Sequence, residues 1–188
     1  MLNDALRLSD SNRIDSLIKI GIATVLLCIL SPLNIDIGME VPLTLQSLLV
    51  VFFSVLFGWL NGSVPVLVYL LLGGFGAPVF ADYNSGWDLF LGSSGGFLIG
   101  FLIAANIVGF LAEMNIMMKN LFALVLLALG QFILLVVGLY WLQGVTNEEF
   151  SWGVQLQAFM PGLAMKTAFG GIVFIGLHRT AKRLANQS

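Results

Sequence analysis

The chain has 188 residues, of which 59% are hydrophobic and 10% charged, and its mean hydropathy is +0.99. A soluble domain of this size would have too little polar surface to face water, so the expected fold class is an all-α integral membrane protein. A net charge of −2 without a long basic tract offers nothing to nucleic acid, and no polar stretch is long enough to fold separately, so a single membrane domain over 1–188 is expected.

The opening stretch, MLNDALRLSDSNRIDS, is polar and of mixed charge. No convincing small-residue cleavage site accompanies the apolar run behind it, so a removed signal peptide is not expected. Six apolar runs of spanning or near-spanning length follow, at about 17–33, 43–60, 64–80, 97–112, 120–142 and 158–177, and are read as six transmembrane helices. The first carries Gly21, Thr24 and Cys28, a degenerate small face that either meets lipid or docks another membrane protein. Cys28 is the only cysteine, so no intramolecular disulfide can form.

The second run has Thr44 and Gln46 at its head. Between the second and third, LNGSVP predicts a tight turn, with Ser63 capping the next helix and Pro65 in its first turn. The third carries Tyr69 and is broken by GGFGAPVF, a backbone that is tolerated at membrane depth only under protein cover or beside a cavity. Phe80, Tyr83, Trp87 and Phe97 then cluster around the outer loop. They form either an interfacial belt or a cover over a flat, partly apolar ligand.

Gly92, Gly96, Gly100 and Ala104 place a small residue at every fourth position of the fourth run, on one helical face. Helix packing explains the lower part of that row, while Gly95 and Gly96 are candidates for close approach of a ligand. Asn106 and Gln131 are expected to form interhelical hydrogen bonds.

Arg7, Arg13 and Lys19, then Lys119, then Arg179, Lys182 and Arg183 all fall on one side of six spans. The opposite loops carry Asp36, Glu40, Asp82, Asp88, Glu148 and Glu149, so both termini are expected to be cytoplasmic. Lys166 alone among the eight basic residues departs from this pattern. With Pro161 in the first turn of the sixth helix, Lys166 would lie about 8 Å in from its outer end. Either the side chain snorkels to the interface, or it faces the bundle interior and marks a substrate or ion site. No acid lies inside a helix, which leaves a bound anion, or Asp82 or Asp88 folded inward, as its partner.

Catalytic machinery is hard to find. There is no Walker A loop, and the only histidine, His178, sits beside Arg179 at the cytoplasmic end of the sixth run. A metalloprotease motif or an intramembrane Ser-His pair would need a histidine deep in the protein, so no enzymatic activity, metal or cofactor is expected.

Three elements in register carry a resemblance. Pro42, Thr44 and Gln46 fit P-x-T-x-Q, and Tyr69, Gly73, Gly76, Pro78, Val79 and Phe80 fit Y-L-x-x-G-x-x-G-x-P-V-F. Gly92, Gly95, Gly96, Phe97, Gly100 and Phe101 fit G-x-x-G-G-[YF]-x-x-G-F. The chain thus resembles the BioY family, substrate-binding S components of energy-coupling-factor biotin transporters. The resemblance implies a six-helix protein of the cell membrane that binds biotin near the outer face and works with a transmembrane coupling protein and two cytoplasmic ATPases. It implies that Lys166 anchors the vitamin, with Gln46, Thr44, Tyr69, Phe80, Tyr83, Gly95, Gly96, Phe97 and Leu163 around it and the loop between the third and fourth helices as a lid. Gly21, Thr24 and Cys28 would present a loose version of the small face that meets the coupling protein.

Two positions depart from the family pattern. SSGGF stands where the family has P-T-G-G-Y, which removes a phenolic hydroxyl at Phe97. Leu163 occupies the aspartate position of P-x-D-x-x-K, and leucine can accept no hydrogen bond from a ureido N–H. Another acceptor, Gln46, Asp82 or Asp88, is expected to serve in its place. The alternatives are a transporter of a biotin relative or another vitamin, and a non-transporting scaffold whose glycines only pack helices.

Overall fold

A computed structural model of the chain describes residues 11–35, 43–114, 120–146 and 150–185. Arg7, Asp36, Glu40, Pro42, Lys119, Glu148 and Glu149, which carry much of the expected charge asymmetry and part of the first motif, lie outside the described residues. Among the described residues six long helices make up most of the structure: α1 (Asn12–Leu30), α2 (Leu45–Phe57), α3 (Trp59–Gly74), α4 (Gly95–Met114), α5 (Asn120–Val145) and α6 (Trp152–Ala185). α4, α5 and α6 are long and apolar enough to cross a membrane, and α2 and α3 are shorter apolar helices.

Beyond its first turn α2 is apolar on nearly every side, as suits a helix enclosed by others. Ten of its residues, from Gln46 to Phe57, are buried. At its N-terminal end Leu43–Thr44 pairs antiparallel with Asn34–Ile35, a two-residue ribbon that the all-α expectation did not contain. α1 covers the bundle with Asp15, Lys19, Ala23 and Leu27, one residue per turn on a single face. Lys19 Nζ lies 2.7 Å from Asp15 Oδ2, so this lysine enters the protein as a paired group rather than as an exposed interfacial cation.

The turn between α2 and α3 is tighter than LNGSVP suggests. Gly58 alone, at φ +83°, reverses the chain, a conformation glycine adopts without steric cost. α3 therefore begins at Trp59, five residues earlier than expected, with Pro65 inside the helix. Ser63 is not a cap: its hydroxyl donates to the Trp59 carbonyl one turn back. A Cβ at Gly62 would collide with the Ser54 backbone, which shows how closely the two helices pass.

α3 ends at Gly74 rather than near residue 80, and the following segment folds back on it. Phe80 packs where a Cβ on Gly73 would be, and Trp87 does the same at Gly74. Asp82 and Tyr83 both take left-handed backbone, at φ 58° and 59°. A single helical turn, Asp88–Leu91, leads into α4.

α4 and α5 are joined by glycines. A Cβ at Gly96 would meet Trp141 and the Val137 carbonyl, one at Gly95 would meet the Phe90 carbonyl and Trp141, and one at Gly138 would meet the Phe97 ring. Trp141 Nε1 also donates to the Gly92 carbonyl at 2.9 Å. α6 begins at Trp152, so Pro161 lies in its tenth position rather than its first turn. Lys166 is fourteen residues into that helix, about 21 Å from its start, against the 8 Å expected from Pro161.

Candidate functional site

The expected polar positions converge on a cavity of about 300 Å³, at the lower end of the ~300–1,000 Å³ usual for small-molecule sites. One wall is a stripe of α6: Ala158, Phe159, Gly162, Leu163 and Lys166 recur at three- and four-residue steps, which a helix places on one side. Phe97, Leu98 and Phe101 of α4 and Leu134 and Leu135 of α5 give it an apolar body. Thr44, Gln46 and Ser47, at the start of α2, close one end with polar groups, and Ala81 reaches it from the α3–α4 loop.

The Lys166 ammonium is fixed across this space. Nζ donates to Ser47 Oγ at 2.9 Å and makes a long contact, 3.5 Å, with Thr44 Oγ1. Gln131 of α5 donates from Nε2 to the Ser47 carbonyl at 3.1 Å, which holds the first turn of α2 against α5. Gln46 is 5% exposed, and its Nε2 has no hydrogen-bond partner among the described residues. An unmet buried donor costs about 1–3 kcal/mol; Gln46 as a residue lines the cavity, while its Nε2 is itself shut off from that space. The Phe97 and Phe159 rings stack with centroids 5.7 Å apart, joining α4 to α6 beside the apolar body.

Thr44, Gln46, Phe97, Leu163 and Lys166 therefore share one cavity. The structure places the other expected site residues elsewhere. Tyr69 is fully buried beneath the loop, and its hydroxyl donates to the Val79 carbonyl at 3.0 Å. Phe80 is buried edge-on against it, 5.4 Å between centroids. Tyr83 is exposed. Gly95 and Gly96 face Phe90 and Trp141, so the close approach they permit is that of α5 and the preceding turn.

The inward loop carboxylate expected for Lys166 is also absent from its surroundings. Asp82 and Asp88 are exposed, and Asp82 Oδ1 accepts from Asn34 Nδ2. Ser47, Gln131 and Phe159 were not singled out as site residues, although a signal existed for each. Ser47 follows Gln46 and lies one turn from Thr44, Gln131 is the polar residue midway along α5, and Phe159 is two turns before Lys166 on the same stripe.

On α1, Gly21 is exposed with open space around it, and Thr24 Oγ1 donates to the Ile20 carbonyl at 2.8 Å. Cys28 is half-buried and packs on the core. Ile22, Val25 and Ile29 leave that side of α1 apolar and exposed.

A family model described as the BioY family matches residues 4–183. A biotin transporter, BioY2 of Lactococcus lactis subsp. cremoris, is 32% identical over 165 residues, covering 88% of this chain and 84% of its own. Biotin transporter BioY of Thermotoga maritima is 40% identical over 97 residues, covering 52% and 57%. The crystal structure of an S-component for biotin from an ECF-type ABC transporter superposes with a TM-score of 0.76 at 25% identity and covers 96% of each chain.

Proposed function

The chain belongs to the BioY family, and on that premise we propose that it captures biotin in the cavity around Lys166 and carries it across the cell membrane. It is a multi-pass membrane transport protein and not an enzyme. The observation that carries the reading is the cavity itself, an apolar body of about 300 Å³ closed at one end by Lys166, Ser47, Thr44 and Gln46. Biotin has matching chemistry: an apolar sulfur ring and alkyl chain joining two polar ends, a ureido group and a carboxylate. Phe97, Phe101, Phe159 and Leu163 cover the apolar part, and the α2 end meets a polar one. With Asp82 and Asp88 outside the cavity, the Gln46 and Gln131 amides are the side chains that replace the acceptor absent at Leu163.

The proposed topology has six spans and cytoplasmic termini. α2, at 13 residues, is only about 20 Å long, short of the ~30 Å hydrocarbon thickness. Because neighbouring helices enclose it, its backbone ends meet protein rather than lipid, and the deficit is tolerated. The exposed apolar side of α1 around Gly21 is the surface proposed to meet a transmembrane coupling protein, itself driven by two cytoplasmic ATPases.

Mass spectrometry of ligand released from the gently purified protein tests the function. Stoichiometric biotin, and biotin uptake by cells expressing the chain with an energising module, are the expected results. A released vitamin other than biotin would reassign the substrate, and no bound or transported vitamin at all would leave a membrane scaffold.

A further inference from the structure

Asp82 lies off the cavity wall, yet it fastens together two segments that each contribute to that wall. The α3–α4 loop brings Ala81 to the cavity, and the two-residue ribbon brings Thr44, the register partner of Asn34. One residue on from Ala81, Asp82 Oδ1 accepts from Asn34 Nδ2, and the Asp82 backbone N–H donates to the Pro32 carbonyl at 3.2 Å. A carboxylate only accepts, so it turns the NH2 of the Asn34 amide toward the loop. Among the described residues these are the hydrogen bonds that leave residues 80–84, while those between Phe80 and Asn84 and between Asn84 and Ala81 close the turn on itself. The turn is also strained. Asp82 and Tyr83 hold φ of 58° and 59°, a region that aspartate enters readily and a bulky residue rarely. Tyr83 is 63% exposed, so burial of its ring does not offset the cost. Such backbone persists only where its surroundings hold it. Phe80 anchors one end of the turn edge-on against Tyr69, and Asp82 anchors its middle to the end of α1 and the ribbon.

We propose that Asp82 is a positioning residue for ligand exchange: by fastening the α3–α4 loop to Pro32 and Asn34 it holds Ala81 and Thr44 together as one cover, which opens for biotin to pass when that fastening breaks. This rests on the reading of the cavity as the biotin site. Asp82 does not line the cavity and touches no ligand, so its bonds are the same whether the cavity is empty or filled. Losing them raises the open population of both forms by the same factor. Entry and release then quicken together, and the dissociation constant, their ratio, stays where it was. The left-handed backbone at Asp82 and Tyr83 works in the same direction, since it relaxes once the turn is released.

The test measures entry and release rates of radiolabelled biotin in the full chain in detergent, beside its equilibrium affinity. Asp82→Gly removes the carboxylate while easing the left-handed backbone, and Asn34→Ala breaks the same bond from the other side. Each should speed both entry and release about three- to tenfold, the range of one hydrogen bond, with the dissociation constant held within about twofold. Asp82→Asn tolerates the same backbone and keeps an acceptor oxygen, so it should exchange at the wild-type rate. The double variant should be no faster than either single one, because both remove one interaction. Without any ligand, hydrogen exchange of the backbone amides of residues 81–84 should quicken in Asn34→Ala. Unchanged rates in the folded single variants, or unchanged protection of residues 81–84, would overturn the proposal while leaving the biotin site standing. Faster release with entry unchanged would overturn it too, since Asp82 would then act on the bound ligand. A folded wild type that binds no biotin would overturn the biotin reading, and this inference with it.

Discussion

The Lys166 ammonium donates to the Ser47 hydroxyl at 2.9 Å, joining the sixth helix to the first turn of the second across 119 positions of sequence. The bond spans the polar end of the cavity, so it both orients the cation and ties α6 to the enclosed helix α2. Ser47→Ala frees the ammonium from its nearer partner and is expected to weaken biotin about tenfold, equivalent to about 1.4 kcal/mol. Ser47→Thr, which keeps the hydroxyl, should stay within a few-fold of the wild type. Parallel titrations check both.

Lys166→Met should separate stability from function. A half-buried cation whose partners among the described residues are hydroxyls is costly in an apolar bundle, and methionine fills similar space without a charge. The unliganded variant is expected to melt higher than the wild type, while the rise in melting temperature on adding biotin, the signature of binding to the folded state, disappears. Differential scanning measurements with and without biotin give both readings.

Gly96→Ala addresses whether the glycines of α4 serve the ligand or the packing. A Cβ there would collide with the Trp141 side chain, and overpacking of this kind typically costs about 1–3 kcal/mol. The expected outcome is a lower melting temperature with biotin affinity of the folded fraction nearly unchanged. A large loss of affinity at unchanged stability would place Gly96 at the ligand instead.

Tyr69→Phe removes the donor to the Val79 carbonyl. It leaves a buried acceptor unmet, at about 1–3 kcal/mol. Because Tyr69 lies under the loop and not on the cavity wall, the effect is expected in the protection of residues 75–87 from hydrogen exchange, with biotin affinity changing much less.

Sequence reasoning recovered the helical chain and its polar landmarks because membrane helices announce themselves by apolar length and because charges inside them are rare. It singled out Thr44, Gln46, Phe97, Leu163 and Lys166, which the fold brings to one cavity. Pro65 and Pro161 misled it. Proline suits a first turn, but both sit inside helices here, and helix starts read from them fall too late. The glycines of α4 were ambiguous for another reason: a small residue permits close approach without stating of what, and only the position of Trp141 decides it. The aromatic loop residues likewise scatter, Phe80 to the core and Tyr83 to the surface, because side-chain direction in irregular backbone has no period to read. The place of Ser47 one turn from Thr44 is a signal in the sequence, but its pairing with Lys166 shows only where α2 and α6 lie side by side.

Titration of the purified chain with biotin, wild type beside Lys166→Ala, tests the central claim most directly. Saturable one-to-one binding by the wild type, weakened at least about tenfold in the folded variant, is the predicted result. Binding that survives Lys166→Ala undiminished, or a folded wild type that takes up no biotin, would contradict it.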